Sequence, residues 1–251
     1  FLILSAFITL TMGAIFGISS MRRVSAEDVD FSMIGASIRV SDDVYGIRFS
    51  AKINKVESSS KYYVMIIPNE WRNTYELDKA GNEDYFDVLV NGNGFVWQGD
   101  NPTIIIMQSK PKLQVGGPNN GYFIINGTIS DVLYQNSNSK FFGVAFEQKE
   151  DGTRVYATNQ EAGVRSLCYV AGAALNDATA GYSDEIKEKL MGTVNDAYNV
   201  SLGKKETDEQ EELNLDFNFV KTDWNSLDKG SKTTLELTGV PNIDLPIEWS
   251  V

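Results

Sequence analysis

Carboxylates dominate the reactive side chains of this sequence. Glu70 with Glu76, and Glu147 with Glu150, are two pairs with the chemistry of a general acid and a nucleophile. Cleavage of a glycosidic bond uses such a pair, about 5 to 10 Å apart on opposite sides of a sugar. Nearness in sequence does not establish that geometry, and an acidic chain contains many such pairs by chance. Asp78, Asn82 and Asp84, or Asn91, Asn93 and Asp100, supply oxygens of the kind calcium takes. Neither set has the glycine and terminal glutamate of a calcium loop, and turn formation accounts for the same residues. No motif therefore supports a cofactor, and for calcium the ligand type is present without a binding motif.

Histidine is absent altogether. This excludes Ser-His-Asp and Cys-His nucleophilic systems, imidazole zinc sites and the usual general base near neutral pH. Cys168 is the single cysteine, so no internal disulfide can form; its apolar setting, from Leu167 to Val170, reads as a buried small hydrophobe rather than a reactive thiol. Arg39, Arg48 and Arg165 lie beside apolar positions, where a guanidinium needs carboxylates or carbonyls around it. They are candidates for structural ion pairs or for contact with an anion. Aromatic side chains complete the inventory. Trp71 with Tyr75, and Trp97 with Asp100 nearby, present the combination on which sugar rings stack while polar neighbours bond the hydroxyls. The same residues would serve as aromatic seals at strand ends.

The formal charge of −12 over 251 residues repels nucleic-acid phosphates, and no basic patch offsets it. Nucleic acid is therefore excluded as a partner, leaving glycan or another surface protein. Residues 1–26 read as an export signal: an apolar run from Phe1 to Ile18 ends in small residues at Val24, Ser25 and Ala26, followed by Glu27 and Asp28. An uncleaved N-terminal membrane anchor is the alternative, since the run approaches the length that spans a bilayer. Either places the remainder outside the cytoplasm, secreted or at the cell surface, with membrane contact confined to export if the signal is cleaved.

The elements that must position these residues are mainly strands. From Met33 to Asn159, short apolar or alternating runs are punctuated by Gly, Asn, Pro and Ser, the pattern of an antiparallel β-sandwich. Ile34 to Val40 and Gly46 to Ile53 are separated by Ser41 to Tyr45, which reads as a hairpin connection. In the second run Ile47, Phe49, Ala51 and Ile53 share the buried face. Continuous apolar runs at Tyr62 to Ile67 and Phe86 to Val90 predict central strands. Thr103 to Met107, Tyr122 to Ile125 and Phe141 to Phe146 follow, and Asp151-Gly152 turns the chain into Arg154 to Ala157. Helical spacing then takes over at Val164, Leu167, Cys168, Ala171, Ala174 and Leu175. A second helix is capped by Ser183, with Ile186, Leu190, Met191, Val194, Ala197 and Tyr198 on its inner side. Both helices buttress the sandwich.

Domain limits follow: a module over 27–200, a charged linker over 201–212, and a separate β unit over 213–251. In the last, Leu213, Leu215, Phe217 and Phe219 alternate with polar residues, and Thr233 to Leu237 and Ile247 to Val251 supply further strand-like runs. Three strands do not complete a sandwich core, so this unit reads as partial. Leu227-Asp-Lys-Gly230, Thr234-Leu-Glu-Leu237 and Ile247-Glu-Trp-Ser250 resemble the first half of a bacterial Ig-like domain of the kind strung along surface proteins, adhesins and exported glycosidases. A second resemblance rests on Gly35-Ala-Ser-Ile-Arg39, Gly46-Ile-Arg-Phe49, Tyr63-Val-Met-Ile-Ile-Pro68 and the stretch from Val164 to Asp177. These look like an uncharacterised module of exported multidomain proteins of Firmicutes, which implies location and architecture but no activity. The expectation from these readings is a non-catalytic extracellular module acting in adhesion, glycan contact or domain spacing. The competing expectation is a carboxylate-based polysaccharide-cleaving enzyme or an accessory domain of one.

Overall fold

The structure is a computed structural model and describes residues 31–41, 44–95, 104–213, 218–219, 237–238 and 242–246. The N-terminal signal reading, Trp97, Asp100 and most of the partial Ig-like unit lie outside the described residues. Eleven strands are described: β1 (Phe31–Ser41), β2 (Val44–Ile53), β3 (Lys61–Pro68), β4 (Ile105–Gln108), β5 (Lys112–Leu113), β6 (Phe123–Ser130), β7 (Phe141–Gln148), β8 (Arg154–Tyr156), β9 (Val164–Arg165), β10 (Asn218–Phe219) and β11 (Leu237–Thr238). The helices are α1 (Glu70–Thr74), α2 (Leu167–Asn176) and α3 (Asp184–Ser201). Two antiparallel sheets result. One is ordered β1-β2-β6-β5; the other is ordered β4-β3-β7-β8, with β9 also paired to β7. This is the mainly β, sandwich-type architecture that the alternating runs demand.

Burial follows the strand period. Ile47, Phe49, Ala51 and Ile53 of β2 are all buried, and they meet Val64 and Ile66 of β3 and Ala145 of β7 between the sheets. Two glycines permit that approach. A Cβ on Gly143 of β7 would lie 2.3 Å from the Phe49 ring, and one on Gly127 of β6 would lie 2.6 Å from Val64. Each strand thus leaves a hollow that a side chain from the facing sheet fills. The sheets are also joined at one edge, where Met33 donates its N–H to the Thr158 carbonyl at 2.9 Å and Thr158 returns a bond to Phe31.

The second sheet is covered on its other face as well. Met65 and Ile67 of β3, and Phe142, Val144 and Phe146 of β7, point into a second core closed by Leu77, Tyr85 and Leu89. Burial on both faces explains why β3 and β7 are apolar without alternation. The covering residues belong to the excursion between β3 and β4, described over 69–95, which is called the cap below.

Within the cap, Phe86 to Val90 does not form the central strand that its apolar run predicts. It enters a π-helical turn over Asp87–Gly92, with Leu89 buried beneath it. A five-residue apolar run fits either element, and local polar groups decide. Asp84 accepts from the Asp87 N–H, Asn91 donates to the Asp87 carboxylate four residues back, and Asn93 donates to the Val88 carbonyl.

The two long helices form as their spacing predicts and pack with β1 and β2 on the main core. Ser166 caps α2 by accepting from the Tyr169 N–H, and Ser183 caps α3 by accepting from the Ile186 N–H. On α3, Leu190, Val194 and Ala197 are buried as expected, whereas Met191 is exposed and Thr193 takes a place on the inner face. The charged stretch after α3 is exposed but tied back. Buried Asn199 donates to the Glu211 carbonyl and accepts from its N–H, each at 2.8 Å, and Lys204 pairs with Glu211. Further along, Asn138 bonds the backbone of Asn242 and Asp244, and Leu245 and Pro246 lie against Gly172 of α2. β10 and β11 pair antiparallel. Among the described residues no helix is long and apolar enough to cross a membrane.

Candidate functional site

The cap gathers two of the sequence-designated residues. Trp71 stands on α1, which the Asp78 and Glu161 carboxylates anchor through Arg72, and Tyr75 ends the helix. Pairing at i, i+4 brings these two rings together at 5.6 Å between centroids. Phe95, at the far end of the cap, stacks on Trp71 at 4.5 Å and meets Tyr75 edge-on at 5.2 Å. All three rings are half-buried: one side seals the second core, leaving the remainder in contact with solvent. Phe95 was not singled out by sequence, since only its position after the helical turn aligns it with Trp71.

Beside α1 lies a cleft of about 450 Å³ lined by Leu77, Asp78, Glu83, Tyr85, Arg154 and Tyr156, among others. Its walls are built by hydrogen bonds that span the cap and the second sheet. Arg154 of β8 donates to Asp84 at 2.9 Å, and the Tyr156 hydroxyl donates to the same carboxylate while accepting from the Phe86 N–H. Tyr85 donates to Gln160 at 2.6 Å and lies 3.3 Å from Asp78. Burial raises the hydroxyls of Tyr156 and Tyr85 above the ordinary tyrosine range, so they are protonated donors at neutral pH. The Arg72 and Arg154 side chains are 14% and 16% exposed and cover the rings of Phe142 and Phe86. These are therefore half-desolvated ion pairs that hold the cap in place rather than loose surface pairs. The Nε of Arg154 is buried and has no hydrogen-bond partner among the described residues.

The carboxylates that suggested chemistry are distributed differently from the sequence grouping. Asp78 and Asp84 serve different arginines, and Asn82 turns its amide toward the Glu76 carbonyl. Glu76 pairs with Lys79, and Glu147 accepts from Tyr62. Among the described residues no group of three or more acidic, cysteine or histidine side chains is placed to hold a metal ion. Asn91 and Asn93 spend their amides inside the cap.

The three flagged arginines are not brought together. Arg48 donates to Ser37 on the neighbouring strand, Arg165 donates to the Val164 carbonyl and covers Tyr169, and Arg39 is exposed on β1. Among the described residues, the arginine ion pairs are those of Arg72 and Arg154. Cys168 is buried on α2, and burial pushes its thiol up to about 12, the environment of an unreactive thiol. The Arg154, Tyr156 and Asp84 cluster was missed because its members lie some 70 residues apart. The alternation of Arg154 and Tyr156 along one face of β8 is the only local trace of it.

The sequence matches no protein-family model and no curated protein. Function must therefore be argued from the residues themselves.

Proposed function

We propose that this chain is a non-catalytic extracellular module of a multidomain surface protein and that its cap contacts glycan. The observation that carries this reading is the Trp71, Tyr75 and Phe95 cluster, half-exposed and mounted on a cap that ion pairs hold rigid. Aromatic faces bind the apolar side of a pyranose, and a platform fixed before binding loses little entropy when the sugar arrives. The neighbouring cleft offers Tyr85, Glu83 and Asp78 for hydroxyl groups, at a size that suits one sugar ring. The N-terminal apolar run and the two resemblances support the extracellular setting and the multidomain parent.

The carboxylates near the platform support contact over cleavage, because Asp78 and Asp84 are each held by an arginine and a tyrosine. A glycan array on the full chain tests the reading, with reducing-sugar release measured on every glycan that binds. Retention of a defined glycan class without release supports it. Turnover of any polysaccharide would instead establish the cleaving enzyme, and absence of retention on a broad array would remove glycan contact.

A further inference from the structure

The cap covers the outer face of the second sheet, whereas the outer face of the first remains partly open to solvent. Strand parity decides what stands there. Ile47, Phe49, Ala51 and Ile53 of β2 point into the core, so Arg48, Ser50 and Lys52 between them point outward. Register carries this face across the sheet. Arg48 lies opposite Ser37 of β1, and Ser50 lies opposite Asn126 of β6. Lys52, Ile124 and Lys112 form one row over β2, β6 and β5, and Arg39, two residues beyond Ser37, faces the same way. Side-chain contacts agree: Arg48 Nη2 donates to the Ser37 hydroxyl at 3.1 Å, and Ser50 donates to the Asn126 side chain at 2.6 Å.

The charge on this face is all of one sign. The chain carries 34 Asp and Glu against 22 Lys and Arg, yet β1, β2, β5 and β6 contain no carboxylate. Their cations, Arg39, Arg48, Lys52 and Lys112, all stand on the outer face, and among the described residues none of them forms an ion pair. Asp131, just after β6, is bonded by the Ser130 hydroxyl at 3.0 Å; Asp42 and Asp43, between β1 and β2, lie outside the described residues. The basic positions are scattered along the chain, so no run of basic residues announces the patch. With about 4.8 Å between strands and about 3.4 Å per residue, the backbone steps from Arg39 to Arg48, Lys52 and Lys112 are about 8, 14 and 10 Å. One small anion does not span such steps, whereas a polymer with repeated negative charge does.

We propose that the outer face of the first sheet binds an acidic polysaccharide, whose carboxylates meet these four cations and whose hydroxyls meet Ser37, Ser50 and Asn126. Guanidinium and ammonium groups make charge-assisted hydrogen bonds to carboxylates, and the serine and asparagine side chains both donate and accept. A single polysaccharide strand is narrow enough to follow the track and stay clear of the acids elsewhere on the surface. A nucleic-acid duplex or an anionic lipid surface would bring dense phosphates against those acids. The face shares no residue with the cap and does not depend on what the cap contacts.

Calorimetric titration of the full chain with an oligogalacturonate long enough to span the track, and with its methyl ester, tests the proposal. The acidic oligomer should bind at least tenfold tighter than the ester, with an affinity that falls as salt is raised. R39Q/K112Q, at two exposed positions, should weaken binding at least fivefold. K52Q should weaken it at least threefold, which keeps the test available if the double variant fails to fold. K187Q/K205Q removes the same charge from α3 and the stretch after it and should leave the affinity unchanged, as should W71A. Absence of binding, equal binding of the ester, or equal losses in R39Q/K112Q and K187Q/K205Q overturns the proposal. Tighter binding of duplex DNA or of phosphatidylglycerol vesicles also overturns it, because the face would then read a phosphate array.

Discussion

Replacing Gly143 with alanine tests how the two sheets meet. The added methyl would sit 2.3 Å from the Phe49 ring, which is wholly buried, so neither partner has open space to enter. Overpacking of this kind costs about 1 to 3 kcal/mol. With a urea m-value of about 2 kcal/mol/M, typical of a domain this size, the midpoint should fall by about 1 M while m is unchanged. Phe49→Leu alone loses apolar burial worth roughly 1 to 2 kcal/mol. It also clears the space the methyl needs. The double variant should therefore be more stable than the sum of the two single effects implies, by at least about 0.5 kcal/mol. Equilibrium urea unfolding followed by far-ultraviolet circular dichroism gives all three values. A Gly143→Ala protein within about 0.5 kcal/mol of wild type, or strict additivity in the cycle, would refute the interlocking of β2 with β7.

Three further outcomes follow from the same contacts. Tyr156→Phe removes the hydroxyl that accepts from the Phe86 N–H and donates to Asp84, so it should cost about 1 to 3 kcal/mol and speed amide exchange across residues 85–92, read by hydrogen–deuterium exchange. Ser183→Ala removes the α3 cap and should cost about 1 kcal/mol in thermal or urea unfolding. Cys168 ionises at about 12 in the folded chain against an ordinary value of 9, so the unfolded state loses its proton first as pH rises. Its contribution to stability is full below pH 9 and is lost between about 9 and 12; a Cys168→Ala variant should show a shallower alkaline decline over that window, and native wild type at pH 8 should react with a thiol reagent only as fast as it unfolds.

Much of the sandwich is legible in the sequence because burial there follows a local period. Ile47, Phe49, Ala51 and Ile53 announce a face two residues at a time, and Ser183 with its acidic successors announces α3. The run from Phe86 to Val90 misleads because its apolar content is shared by strand and helix, and the bonds that choose between them come from Asp84, Asn91 and Asn93. On α3 the inner face is rotated from the expected one by Thr193, whose hydroxyl is needed by Tyr45 across 148 positions. The candidate site divides in the same way. Trp71 and Tyr75 are found because a helix turn brings neighbours in sequence together. The pairing of Arg154 and Tyr156 with Asp84 depends on how β8 lies under the cap, which no single stretch of residues encodes.

The account turns on whether the aromatic cluster of the cap is a contact surface. Calorimetric titration of the full chain with the best-retained glycan, beside a Trp71→Ala variant confirmed as folded by circular dichroism, addresses this directly. Stacking on an aromatic face contributes on the order of 0.5 to 1.5 kcal/mol per ring, and loss of the Trp71 ring also unseats Phe95. Over the two rings, the account predicts a loss of affinity of about fivefold to a hundredfold in the variant. Equal affinity for the two proteins would contradict it and leave the cluster as a seal for the second core.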